Sequence, residues 1–297
     1  MINLKRTALI GMVLMLTFVI TACSSSSDIV TFTGDRPVRG EVSGTVVETF
    51  SDDNPVDDAR ITRSDNNTVT YSETNGNYRL DGVNNNTEIT VTRDGYEPVS
   101  RTVEIEEDGQ VLSLNFRLYK EYSEDNDEAD DDSDNENEES LVETDLLFEL
   151  SWQGGAEDLD AHLLVPDTED SNQDGYHIYY QDRGSLNNFP YAQLDQDILT
   201  YENGEPETIR IERLHEGSYI YFVKNFSMYD AEDGEEVPEI SDSGAMVRVR
   251  ENGEWEEYEV PTDENGMHWL LFEIIVDEDG YEIIEKNEFT DEEPELN

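Results

Sequence analysis

Residues 121–140 read EYSEDNDEADDDSDNENEES, with twelve Asp or Glu in twenty positions and no base. A block of that charge cannot bury a core and repels itself into an extended chain. It forbids one continuous hydrophobic core and predicts two lobes, 38–120 and 141–287, each of domain size. A calcium loop in the run would need a D-x-D-x-D-G pattern closed by Glu, and the Gly is missing, so the block reads as a solvated linker. The tail 288–297 is also acidic and reads as frayed.

Both lobes show period-2 patterning. In the first, Gly44–Glu48, Glu88–Thr92, Arg101–Ile105 and Val111–Leu118 alternate, separated by turn residues such as Asn75-Gly76-Asn77 and Asp94-Gly95. In the second, strands are expected at Leu146–Trp152, Leu159–Val165, Tyr176–Gln181, Glu207–Arg213 and Ser218–Phe226. Further ones are expected at Ala245–Arg250, Trp255–Val260, His268–Val276 and Tyr281–Ile284. Short alternating runs with frequent turns predict an all-β chain of two β-sandwiches, the second larger and antiparallel. Phe148, Leu150 and Trp152 share one face, and Leu159, Ala161, Leu163 and Val165 another.

Gly44-Thr45-Val46, Pro55-Val56 with Ala59, Thr74-Asn75-Gly76-Asn77-Tyr78 and Asp94-Gly95-Tyr96 occur in the order of the carboxypeptidase regulatory-like domain. The first lobe resembles that family, which implies a small transthyretin-like or immunoglobulin-like sandwich serving as a spacer or adhesion module. The usual Pro-Gly after the hairpin is replaced by Asn84-Asn85-Asn86. In the second lobe, Ser151-Trp152, Asp158-Leu159-Asp160-Ala161-His162, Asp195-Gln196-Asp197, Gly204-Glu205-Pro206-Glu207 and Gly217-Ser218-Tyr219 resemble the YfaP-like domains of unknown function. Here Ala161 stands in place of a larger aliphatic, and Glu205 interrupts Gly-Pro-Glu. That resemblance implies fold and context but no reaction.

The N-terminus carries an address. Lys5 and Arg6 precede an apolar run from Thr7 to Ile20, too short for a stable span, which needs about 20 apolar residues. Ile20-Thr21-Ala22-Cys23 resembles the bacterial lipobox, which implies lipid on Cys23 (diacylglycerol and an N-acyl chain such as palmitate) and removal of residues 1–22. Residues 23–37 then form a lipidated tether, with Ser24–Ser27 flexible. Ser24 rather than Asp after the cysteine points to the outer membrane in a double-membrane cell. Cys23 is the sole cysteine, so no intrachain disulfide forms.

The chain has 73 Asp+Glu against 18 Lys+Arg, a net charge of −55. Loss of Lys5 and Arg6 takes it to −55 − 2 = −57. This excludes a phosphate-tracking nucleic-acid binder. Four Lys among so many acids is the halophilic surface composition, in which carboxylates hold water where salt screens repulsion. A calcium-rich surface protein is the rival reading of the same composition.

Asp158 and Asp160 are two apart in an expected strand, and Asp195 and Asp197 repeat the spacing beside a turn. With Glu207, they are candidate ligands for calcium, which takes 6–8 oxygens. In so acidic a chain, paired Asp also occurs by chance at turns and strand ends. His162, His177, His215 and His268 form no zinc spacing, and His162 reads as a sheet residue with a carboxylate neighbour. No G-x-S-x-G elbow, Walker loop or dinucleotide fingerprint occurs. The expected function is a non-catalytic binding or scaffolding module, lipid-anchored in the cell envelope, toward a protein or glycan. The alternative is an envelope hydrolase of glycans or esters using carboxylates of the second lobe.

Overall fold

The computed structural model describes residues 38–51, 53–121, 141–167, 175–201, 205–228 and 238–296. The leader 1–22, Cys23 with its tether, and residues 122–140 of the acidic run lie outside them. The described chain is all-β, built as two sandwiches with separate cores.

In the first sandwich, β1 (Arg39–Glu48) is flanked by antiparallel β4 (Asn77–Asn84) and, on its other edge, by β7 (Val111–Ser113) and β8 (Phe116–Leu118), both parallel to it. The facing sheet runs β3 (Val69–Tyr71), β2 (Arg60–Arg63), β5 (Thr87–Arg93), β6 (Tyr96–Val103). The core draws on alternate residues: Val42 and Val46 from β1, Tyr78 and Leu80 from β4, Ile89 and Val91 from β5. The run 111–118, expected as one strand, is two. At the break, Leu114 N–H donates to the Ser43 carbonyl, and the Asn115 side chain accepts from Thr45 N–H at 3.0 Å. The Tyr78 hydroxyl donates to the Leu114 carbonyl at 2.6 Å. Gly44 permits this approach, since a Cβ there would stand 1.9 Å from the Leu114 oxygen. Gly76, at φ +79°, makes the hairpin turn that the Asn75-Gly76 pair predicts.

The second sandwich packs a six-stranded sheet on a five-stranded one. The first runs β12 (Gly184–Ser185), β13 (Ala192–Leu194), β14 (Glu207–Leu214), β9 (Val142–Ser151), β16 (Met246–Glu251), β17 (Glu254–Glu259). The second runs β11 (Tyr176–Ile178), β10 (Leu159–Val165), β15 (Gly217–Asn225), β18 (His268–Asp277), β19 (Gly280–Thr290). Phe148 of β9 stacks on Tyr221 of β15, centroids 4.6 Å apart, with Phe272 of β18 beside them.

Every residue of β10 is buried, so its second face is covered as well. The cover includes the C-terminal segment. Leu296 packs on Leu164, Ile220 and Phe222, and Glu293 pairs with Lys224 at 3.1 Å. The tail is therefore not frayed: residues 288–290 belong to β19, and this ion pair and apolar contact hold the segment from there to Leu296.

The lobes also meet. The outward face of the six-stranded sheet lies against β6 and β8. Arg250 donates to Asp145 of its own sheet and to Glu97 of the first sandwich, and Trp255 Nε1 donates to Glu97 at 3.1 Å. The Tyr119 hydroxyl donates to Glu149 at 2.8 Å. Burial raises the Asp145 carboxyl, while Arg250 and Arg210 pull it back down.

Candidate metal centre

The site forms where an edge strand runs out of partners. β11 pairs with Leu163–Val165 alone, which leaves the first half of β10 open on that side. An open edge presents unpaired backbone groups that need partners when buried. The Ala161 N–H finds one in Glu207, donating to its Oε2 at 2.7 Å. The Ile198 N–H, from the loop between β13 and β14, donates to Glu207 Oε1 at 2.9 Å. Glu207 opens β14 in phase with the core residues Ile209 and Ile211, which explains why a carboxylate there is fully buried.

Asp160 lies on the other face of β10, in phase with His162 and Leu164. It is 3% exposed, and its Oδ2 is buried with no hydrogen-bond partner. Asp197 comes from the β13–β14 loop and is partly open to solvent. Asp160, Asp197 and Glu207 each bring a carboxylate oxygen within 4.8 Å of the other two. Among the described residues, these are the three ligand-bearing side chains that converge in this way.

The electrostatics reflect like charge crowded in a dry place. Burial, then the charges of Asp158 and Asp197, push Asp160 up to about 7, against a partial counterweight from Lys224, which faces it across the sheet. Burial and Asp160 hold Glu207 well above the usual carboxylate range, although its two backbone N–H donors favour the charge. Burial also raises Asp197. The Tyr221 hydroxyl, buried without a partner, is raised by burial and by the Glu207 charge.

Of the five acids expected as ligands, the structure brings together Asp160, Asp197 and Glu207. Asp158 lies just before β10, half-buried, and contributes charge to Asp160. Asp195 does not join them. It accepts from Arg117 of β8 and from the Phe50 N–H at 2.7 Å, both in the first sandwich. The chain leaves β13 at Leu194, so residues two apart no longer share a face and Asp195 and Asp197 part.

His162 is a sheet residue, as expected, but its side-chain partner is another histidine: Nδ1 lies 2.8 Å from His177 Nε2. Its ring stacks on Phe222 and Tyr179. Burial holds His162 well below the ordinary imidazole value. No sequence signal marks the Ala161 and Ile198 N–H groups, which contribute as backbone.

Likeness to solved structures is distant. A protein of unknown function from Bacteroides fragilis is 19% identical over 29% of this chain and 30% of its own, with a TM-score of 0.22. The Bacillus anthracis TIE protein is 12% identical over 75% of this chain and 31% of its own, with a TM-score of 0.24. The matches thus span less than a third of either protein's length. BcpA, the major pilin subunit of Bacillus cereus, is 11% identical over 74% of this chain and 67% of its own, with a TM-score of 0.26. No curated protein matches the chain. Residues 41–119, which make up most of the first sandwich, match the carboxypeptidase regulatory-like domain family.

Proposed function

We propose that this chain is a non-catalytic binding or scaffolding module of the cell envelope, held to the membrane by lipid on Cys23 and directed toward another protein or a glycan. The observation that carries the reading is the contact between the sandwiches. Buried Arg250 bridges Asp145 and Glu97, and Arg117 reaches Asp195. Charged groups placed so hold two lobes in a fixed relation, as a spacer or display surface requires. The resemblance of the second sandwich to YfaP-like domains fits that reading, and the leader and lipobox support an outer-membrane location where the cell has one. For the hydrolase alternative, Glu207 is poorly placed. It is fully buried, and each of its oxygens already accepts a backbone N–H. The test is phase partitioning with a turnover screen. The wild-type chain should enter the detergent phase and Cys23→Ser should not. Sustained hydrolysis of glycans or esters that is lost on Asp158→Ala or Asp160→Ala would replace this reading with the enzyme.

A further inference from the structure

Asp160 is almost wholly buried, yet one of its carboxylate oxygens has no hydrogen-bond donor. An unsatisfied charge in such a place is costly, and native proteins rarely leave one without a counter-ion. The Asp160 carboxylate is one of three that bring an oxygen within 4.8 Å of one another. Two oxygens on opposite sides of one ion at 2.3–2.6 Å stand about that far apart. The donors are all oxygen, which selects a hard cation over zinc or copper. Lys224 faces Asp160 across the sheet, but its ammonium is also engaged by Glu293, so one base serves several acids.

We infer that Asp160, Asp197 and Glu207 bind a calcium ion at the open edge of β10. Glu207 keeps acceptor capacity on each oxygen after taking one N–H apiece. Asp197, at the rim, leaves room for water to complete the shell. Magnesium is the poorer fit. It demands a near-ideal octahedron at about 2.0–2.1 Å and gives up its waters reluctantly, whereas calcium accepts an irregular shell of about 6–8 oxygens. The ion ties the start of β10, the start of β14 and the intervening loop into one unit. Asp195, two residues from Asp197, carries that order to Arg117 of the first sandwich.

The test uses the full chain in about 1 M NaCl, so that diffuse counterion effects are saturated. Calorimetric titration should show one calcium bound, with magnesium weaker by about tenfold or more. Calcium should raise the melting temperature. Asp160→Asn and Asp197→Asn should each abolish that rise while increasing the melting temperature in chelator, because the unliganded carboxylates repel. Asp195→Asn should keep the calcium rise. Equal shifts with calcium and magnesium, or a calcium shift that survives Asp160→Asn combined with Asp197→Asn, overturns the inference. If the Asn variants do not fold, terbium luminescence of the unsubstituted chain decides it. Emission sensitised by the neighbouring Tyr221 should be displaced by calcium before magnesium, and emission displaced equally by both, or no emission, overturns the assignment.

Discussion

Arg250→Met isolates what the charged contact between the sandwiches contributes. Arg250 is 2% exposed, and its guanidinium serves Asp145 and Glu97 together. Methionine keeps much of the packing and removes the charge, which leaves Asp145 buried with less compensation. Deleting one partner of a buried pair costs about 3–5 kcal/mol. Arg210 remains 3.3 Å from Asp145, which puts the expected loss near the bottom of that range, about 3 kcal/mol. For a unit of this size that lowers Tm by roughly 6–12 °C. Trp255 reports on the event, because Arg248 and Arg250 sit 4.4 and 5.8 Å from its ring centroid and its indole N–H donates to Glu97. Calorimetry and tryptophan fluorescence should therefore move together. Adding Asp145→Asn should recover part of the loss, since it removes the stranded charge. The deficit of Arg250→Met should also shrink as the pH falls, because Asp145, already raised by burial, is then neutralised. A loss under about 1 kcal/mol, or no recovery with Asp145→Asn, would refute the claim that these ion pairs hold the lobes.

Gly44→Ala should cost about 3 kcal/mol, because its Cβ would meet the Leu114 carbonyl oxygen at 1.9 Å, and urea denaturation measures it. His162 is held well below its ordinary value, so between the unfolded value of 6.5 and its own the unfolded chain takes up the proton first. Its contribution is complete above pH 6.5 and is lost on acidification, so His162→Phe should narrow the stability gap between pH 7.5 and 5.5 in paired denaturation curves. With a net charge of −55, Tm should rise from dilute buffer to molar NaCl as the screening length falls from about 30 Å to 3 Å, and a flat curve would remove the high-salt argument.

Much of the architecture was readable from alternation. Leu159–Val165 is a strand with the bounds its pattern gives, and Phe148, Leu150 and Trp152 do face the core. The pattern fails where pairing is short. Ala192–Leu194 is three residues, too few for a period to register, and the break at Leu114 depends on the distant Asn115–Thr45 contact. Alternation also says nothing about what covers a second face. Asp160, His162 and Leu164 look solvent-facing by pattern, yet all three are buried, with Leu164 in the cluster that Leu296 covers and His162 against His177 and Tyr179. The acids at the candidate site obeyed the same logic. Asp160 and Glu207 stand on strands, where alternation fixes the face a side chain takes. Asp195 left the group because its segment is loop, where the position of Arg117 decides its direction.

The pairing of β1 sets an order on how the protein can be made. β1 forms early in the chain, but its second edge is closed by β7 and β8, and the Thr45–Asn115 contact spans 70 residues. The first sandwich must therefore hold an exposed edge through most of its own synthesis. The second does the same for its outer face, where Leu164 of β10 waits for the distant Leu296. Such distant closures slow folding and lengthen the time that apolar surface stays bare. A chain of like charges keeps nascent copies apart during that interval, so the acidity that strains the finished fold protects the unfinished one.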